Sequence, residues 1–385
     1  MALSAGTRRT VACLLVGLGA MLLVAAILIP TYTVSRLAKT PLDLEITTVA
    51  TSDPSKPSEV LDSKSLTGPG SAKVDQNVQL VSQRFVTIED PANASELTVQ
   101  AGQTLRRIDK QGDTGLLTAT IDRVTLDRKN GMPVDSVDGG PNGSIAVTVD
   151  KSGQSVMDAV QHTGLQYRFP IGTEKKNYPY FDLNARKTFD INYVDESEIN
   201  NLKVYHFQQT IPATDLSTVA NSATNKLTFP AAKWGVEGEG DITMARWYTN
   251  TRDLWIEPET GTVIKGGEQL HLYYARQGDK PEVNALQSTL VFDENTIESQ
   301  ISVAKENMDK LSLYGRTLPI LLGIIGAIAL IAGVVIGLLG GSGNGRTPVR
   351  RAAPAGGPAP GGRDPFADAP TEQFKTQQID MDKKP

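Results

Sequence analysis

Two long uncharged stretches, one near each end of the chain, constrain this sequence more than any other feature. From Thr10 to Ser35 there is no charged residue, and Val11–Pro30 is almost wholly apolar. A second uncharged run lies between Arg316 and Arg346, with Leu318–Leu339 as its apolar centre. At 1.5 Å of rise per residue, about 20 apolar residues cover the ~30 Å hydrocarbon core of a bilayer. A cleaved signal peptide has an apolar region of only ~7–15 residues and a small-x-small cleavage site. The first run is longer, and Leu28-Ile29-Pro30 offers no such site, so an uncleaved anchor is expected. Gly323, Gly326, Gly333 and Gly337 give the second run small-residue surfaces for close helix packing. Their spacing is ordinary for membrane helices and leaves open whether the two spans pair.

The charges predict an orientation. Loops of hundreds of residues translocate largely regardless of charge, so only the short ends should vote. Arg8 and Arg9 precede the first span, and Gly341–Arg363 carries four Arg and no acid. Both termini are therefore placed in the cytoplasm, at a plasma membrane crossed twice. The segment between the spans, 36–316, has 29 Lys+Arg against 38 Asp+Glu, a net −9. An acidic exterior domain is a poor nucleic-acid binder, because phosphate contacts need clustered positive charge. The tail has 7 basic and 5 acidic residues, and its Arg are expected to be drawn to anionic inner-leaflet lipid.

Most of the outer segment alternates with period two, which means one buried and one wet face, hence antiparallel sheet. Leu42, Leu44 and Ile46 form one such set; Leu117, Ala119 and Ile121 form another, before a phase change to Val124 and Leu126 that a bulge would cause. Ile145, Val147 and Val149 repeat the pattern, as do Phe189, Ile191 and Tyr193, and Leu270, Leu272 and Tyr274. Asn130-Gly131, Asp138-Gly139-Gly140, Asn142-Gly143 and Gly266-Gly267 read as turns. Trp255–Ile264 reads as a hairpin with Gly261 in the left-handed position. Ser52–Gly70 reads as a loop, and a short helix is expected around Gln154–His162. Ile297, Ile301, Ala304, Met308 and Leu311 step by 4, 3, 4 and 3, a helical stripe that Asp293 can cap. This helix is expected to form a stalk leading into the second span.

The expected organisation is a cytoplasmic N-terminus (1–10), a first transmembrane helix (11–35), a β-rich extracytoplasmic domain (36–293) and a stalk helix (294–316). A second transmembrane helix (317–340) and a disordered cytoplasmic tail (341–385) follow. The fold class is thus a membrane-anchored, mainly β protein, its large antiparallel barrel or sandwich flanked by two terminal helices.

The search for chemistry returns little. There is no Gly-x-Ser-x-Gly elbow, no phosphate loop and no His-Glu-x-x-His. One Cys rules out a disulfide framework and a multi-thiolate metal site. His162, His206 and His271 lie far apart in sequence, and each is expected to be structural. No metal or cofactor is expected. Asn93-Ala94-Ser95 and Asn142-Gly143-Ser144 match glycosylation acceptors, a triplet that also arises by chance. The densest aromatic stretch runs from Tyr167 to Asp182, in a chain that is 6% aromatic. It reads either as a core corner or as the wall of an apolar tunnel, in which Tyr167, Phe169, Tyr178, Tyr180 and Phe181 would grip an acyl chain. Lys175 and Lys176 beside it face solvent or a head group.

These residues also carry a resemblance. Phe169-Pro170-Ile171-Gly172-Thr173-Glu174-Lys175-Lys176-Asn177-Tyr178, then Tyr180-Phe181-Asp182, resemble the actinobacterial porin PorA family. So do Leu202–Phe207 with Ile211-Pro212, and Glu257-Pro258-Glu259-Thr260-Gly261. The resemblance implies the envelope of mycolic-acid-containing bacteria. Its polar-growth-factor branch implies trafficking of trehalose monomycolate with the inner-membrane mycolate-exporting transporter as partner. The layout also resembles the class B scavenger receptors, by architecture only.

The leading expectation is a noncatalytic protein whose outer domain binds and helps traffic an envelope lipid or glycolipid such as a trehalose mycolate. The alternatives are a porin or channel, and a scaffold of envelope growth. The porin reading sits badly with barrel physics, which asks for strands with an apolar outward band.

Overall fold

In a computed structural model, residues 5–33, 38–149 and 155–340 are described. The expected tail disorder lies outside them. The chain opens with α1 (Ala5–Leu28), then a wider helical turn, Ile29–Thr33. Pro30 sits in that turn, and its missing N–H and its ring are incompatible with a regular helix interior. Fifteen strands follow: β1 (Ile46–Ser52), β2 (Glu59–Leu61), β3 (Val74–Asp75), β4 (Leu80–Ala92), β5 (Glu96–Arg107), β6 (Leu116–Asp127), β7 (Gly143–Val149), β8 (Ser155–Val160), β9 (Tyr178–Asp182), β10 (Lys187–Ile199), β11 (Leu202–Asp215), β12 (Lys226–Pro230), β13 (Asp241–Glu257), β14 (Thr262–Ala275) and β15 (Val283–Phe292). The chain then enters α2 (Glu294–Ser312) and, after a wide turn at Leu313–Thr317, α3 (Leu318–Gly340).

The strands form one antiparallel sheet in the order β8-β7-β6-β5-β4-β1-β15-β14-β13-β11-β10-β9. Two meanders, β4 to β8 and β9 to β15, are thus joined back to back by β1, which pairs with β4 on one side and β15 on the other. The sheet curls but does not close into a barrel. Its two ends approach through side chains and one short bridge, Leu165 to Tyr180. The His162 ring lies 4.5 Å from that of Phe181, and Arg186 pairs with Asp158 at 2.7 Å across the same seam. The domain is therefore mainly antiparallel β between two apolar helices, as the alternation predicts.

Several local expectations change. Residues 155–160 are strand β8, paired with β7, where a short helix was expected; the ladder offered by β7 outweighs a weak helical pattern. Gly266 and Gly267 lie inside β14, not in a turn. Ser52–Gly70 contains β2 and a helical turn at Ser63–Leu66. The β5–β6 register runs unbroken from Ile121 through Val124, so no bulge lies there. Instead Ile121 is exposed, and its inward neighbour is the fully buried carboxylate of Asp122. Asn142 is buried and ties Val134 and His162 together, which explains it as a clamp rather than a turn or a glycan acceptor.

The stalk helix matches its stripe. Asp293 caps it by accepting from the Thr296 N–H at 2.8 Å, and Ile297, Ile301 and Ala304 pack on Leu202, Val204 and Ile264. With α3 it forms one continuous helical run, Glu294–Leu339 of 46 residues, about 70 Å long. That run and Gly6–Tyr32 are the two described helices long and apolar enough to cross a membrane. They pack antiparallel through small residues. A Cβ on Gly19 would meet the Leu330 backbone N at 2.6 Å, and one on Gly333 the Val16 Cγ2 at 2.8 Å. Ala12 faces Gly337, and seven-residue steps bring Ala26 opposite Gly323. The two apolar helices thus pair.

Candidate functional site

The curl of the sheet leaves an apolar-walled cavity of about 130 Å³. Its apolar wall comes from both halves of the sheet: Ile46 of β1, Val86 of β4, Val99 of β5 and Leu126 of β6 on one side, Leu254, Val263 and Leu290 of β13 to β15 on the other. Gly266 and Gly267 belong to the wall as well. A Cβ on Gly266 would sit 3.1 Å from the Phe292 ring, so that ring packs closely against the bare backbone there. The mouth is bordered by the half-buried Pro41 and Leu44, which follow the first apolar helix, and by the half-buried Val303 and Asn307 of α2, with the buried Thr40 and Gln300 behind them. Both segments that lead to the apolar helices therefore frame the opening.

The cavity also has a polar floor: Arg84, Gln103, Gln166, Tyr167, Arg168, Tyr180, Arg252 and Glu268. Arg252 uses all three of its nitrogens. Its Nε donates to Glu268 at 2.7 Å, its Nη2 to Asp182 at 3.0 Å and its Nη1 to Gln209 at 2.5 Å. Burial alone would lower its pKa, but the two carboxylates outweigh that and raise it. Burial likewise pushes Glu268 up, while Arg252 and Arg84 pull harder in the other direction, so its carboxyl ends below its ordinary range. Arg84 donates from Nε and Nη2 to one acceptor, Gln103 Oε1, at 3.1 and 2.8 Å. Arg168 donates from Nη2 to the Thr260 carbonyl at 2.7 Å, and burial lowers its pKa to about 10.

Behind the floor, Asp122 organises the segment that brings Tyr167 and Arg168 into place. It accepts from Tyr167 Oη at 2.5 Å, from Gln166 Nε2 at 2.9 Å and pairs with His162 Nε2 at 2.9 Å. Burial, and then the Asp122 charge, push the Tyr167 hydroxyl well above its usual range. These contacts hold Tyr167 in a left-handed backbone conformation, φ 67°, which is rare for an aromatic residue. Next in the chain, Phe169 N–H donates to the Gly261 carbonyl at 3.1 Å and Thr173 N–H to the Pro258 carbonyl at 2.8 Å. Gly261 has φ 72°, and a Cβ there would lie 2.2 Å from the Phe169 carbonyl oxygen. Two sequence segments that stand 85 residues or more apart are thus one docked unit.

The five aromatic residues singled out in the sequence divide. Tyr167 and Tyr180 line the cavity. Phe169 and Tyr178 pack with Ile191, Phe207 and Ile256 in a closed cluster, and Phe181 packs with Ile145 and Val160. Lys175 pairs with Glu196 and Lys176 with Glu174, both at the surface. His206 stacks on Trp255 and pairs with Asp253, and His271 meets Asn284. The sequence reading missed Arg84, Arg168, Arg252, Glu268 and Asp122. For Arg84, Arg252, Glu268 and Asp122 the one signal was a charged residue at an inward strand position, which looks the same as a strand out of phase; Arg168 lies between β8 and β9 and gave none.

A family model, porin PorA, matches residues 11–335. A protein named porin PorA from Corynebacterium amycolatum is 31% identical over 382 residues, covering 85% of this chain and 98% of its own length. A second of that name, from Corynebacterium resistens, is 32% identical over 407 residues, covering 86% and 97%. The matched span takes in both apolar helices, the curled sheet and every residue of the cavity floor, and on that near full-length match the chain belongs to the porin PorA family.

Proposed function

We propose that this protein is a channel-type component of a bacterial cell envelope. It would cross the membrane twice, with both termini in the cytoplasm, residues 36–316 outside, and the tail against the inner leaflet. What carries the reading is the near full-length match to relatives named porin PorA. Physical chemistry restricts how such a protein could conduct. The sheet does not close around a lumen, and α1 and α3 pack on each other too tightly to leave one. A conducting path would therefore run between copies of the chain. Purified full-length protein in planar bilayers is expected to give discrete conductance steps whose frequency rises more steeply than linearly with protein. Bilayers shown to contain the protein that stay silent would refute the reading.

A second reading is favoured by the cavity: a carrier that shelters an apolar chain. A 150 Å³ engineered cavity holds one benzene, so this volume of about 130 Å³ takes roughly half a dozen carbons. At ~0.8 kcal/mol per buried CH₂ that is about 5 kcal/mol. Pockets for drug-sized ligands start near 300 Å³, so a whole mycolate would not be enclosed; most of a long chain would stay outside the mouth. In this reading the chain would be noncatalytic and would work beside a lipid exporter of the same membrane.

A further inference from the structure

We propose that the cavity is a binding site for a single-chain amphiphile with an anionic head group, held by Arg84 and Arg168 while its first carbons lie against the apolar wall. This rests on the carrier reading and adds the chemistry of the head.

The three arginines of the floor differ in their partners. Arg252 is neutralised by Asp182 and Glu268. Arg84 and Arg168 form no ion pair among the described residues; their hydrogen bonds go to a neutral amide and a carbonyl. A guanidinium has five N–H donors. Arg84 spends two of its own on a single acceptor, and Arg168 donates one to the Thr260 carbonyl. Both side chains are half-buried, and a charge partly withdrawn from water gains from a counter-charge within reach; the nearby Glu268 carboxylate acts on Arg84 but is already engaged by Arg252. The surroundings make this pair of cations stand out, because segment 36–316 is acidic, net −9. Arginine also matches phosphate and carboxylate oxygens in a planar fork.

A third polar group points the same way. Gln166 is 3% exposed, and its Nε2 is committed to Asp122. That fixes its orientation and leaves Oε1 buried with no partner. Gln166 lines the same cavity. That oxygen has under 1 Å² of accessible surface, so a hydroxyl of the head group satisfies it once the Gln166 side chain shifts slightly towards the cavity. The apolar wall above and the mouth between Leu44 and Val303 set the direction of the chain, outward towards the membrane helices.

The test uses the full-length chain in phosphatidylcholine nanodiscs and three water-soluble probes: hexyl phosphate, 1-hexanol and inorganic phosphate, titrated by calorimetry. Hexyl phosphate is expected to bind at least tenfold more tightly than either of the others. R84Q is expected to weaken hexyl phosphate at least fivefold with hexanol unchanged, and R84Q/R168Q to bring it to the level of hexanol. R84Q alone suffices if the double variant unfolds, since Arg84 hydrogen-bonds the Gln103 side chain and otherwise lies over the Tyr167 ring at 5.8 Å. V303W, which fills the mouth, is expected to abolish binding of both six-carbon probes. Equal affinity for hexyl phosphate and hexanol, inorganic phosphate binding as well as hexyl phosphate, or an R84Q variant indistinguishable from wild type would each overturn the anionic site. If hexanol binding is still lost in V303W, the carrier reading survives that result. Binding of both probes that V303W leaves intact sinks the two together.

Discussion

Replacing Asp182 with Asn tests whether the charge cluster at the centre of the domain stabilises the fold. The Asp182 carboxylate is fully buried and accepts from the Ala185 N–H at 2.9 Å, Tyr248 Oη at 3.0 Å and Arg252 Nη2 at 3.0 Å. Asn keeps the shape and removes the charge. Breaking a buried ion pair from one side costs ~3–5 kcal/mol, because a charge is left without its partner. Here Glu268 still holds Arg252 at 2.7 Å, so the low end, ~3 kcal/mol, is expected. For a domain of 150–250 residues each kcal/mol moves Tm by about 2–4 °C, hence a drop of ~6–12 °C. The unfolding midpoint in mild detergent, followed by tryptophan fluorescence, reads this directly. The sharper arm is D182N/E268Q, which leaves Arg252 with no carboxylate. It should lose ~1–3 kcal/mol more than the two single variants summed. A D182N shift under about 2 °C, or strict additivity in the double variant, would refute the assignment of these groups as one coupled cluster.

Acid should act through Glu268 in a definite direction. Its folded pKa lies below the ordinary 4.5, so the unfolded chain takes up the proton first as pH falls. The stabilisation is full above the unfolded value and is lost on going down through the folded one. E268Q should therefore flatten the fall in urea midpoint below about pH 4.5; an unchanged acid limb would contradict it. The helix pair predicts a disulfide. A Cβ at Gly337 would lie 3.7 Å from that of Ala12, and one at Gly323 3.8 Å from that of Ala26, within the ~3.5–4.5 Å a disulfide spans. In a C13S background, A12C/G337C and A26C/G323C should each crosslink within one chain on mild oxidation, seen as a mobility shift on a denaturing gel. Crosslinks only between chains would show that the observed pairing is wrong.

The two apolar helices, the antiparallel domain between them and the capped helix α2 were legible in the order of residues, because each rests on a local rule. Hydrophobic length reports a span, period-two alternation reports a half-buried strand, and the stripe from Ile297 to Leu311 reports a helix face. It also marked the left-handed Gly261, since that requirement belongs to one residue's backbone. What it could not determine was everything that depends on which strands meet. The aromatic stretch looked like one wall, yet Tyr167 and Tyr180 reach the cavity while Phe169, Tyr178 and Phe181 do not. Asp122 broke the alternation of β6 and passed for a bulge, because a lone sequence does not show the Tyr167 hydroxyl and His162 ring that satisfy it. Gly266-Gly267 resembled a turn and proved to be mid-strand, its small size needed by the Phe292 ring across the sheet. Arg84 and Arg168 came together only because the two meanders curl towards each other, and burial, which gives a charge its cost and its use, is a property of the folded whole.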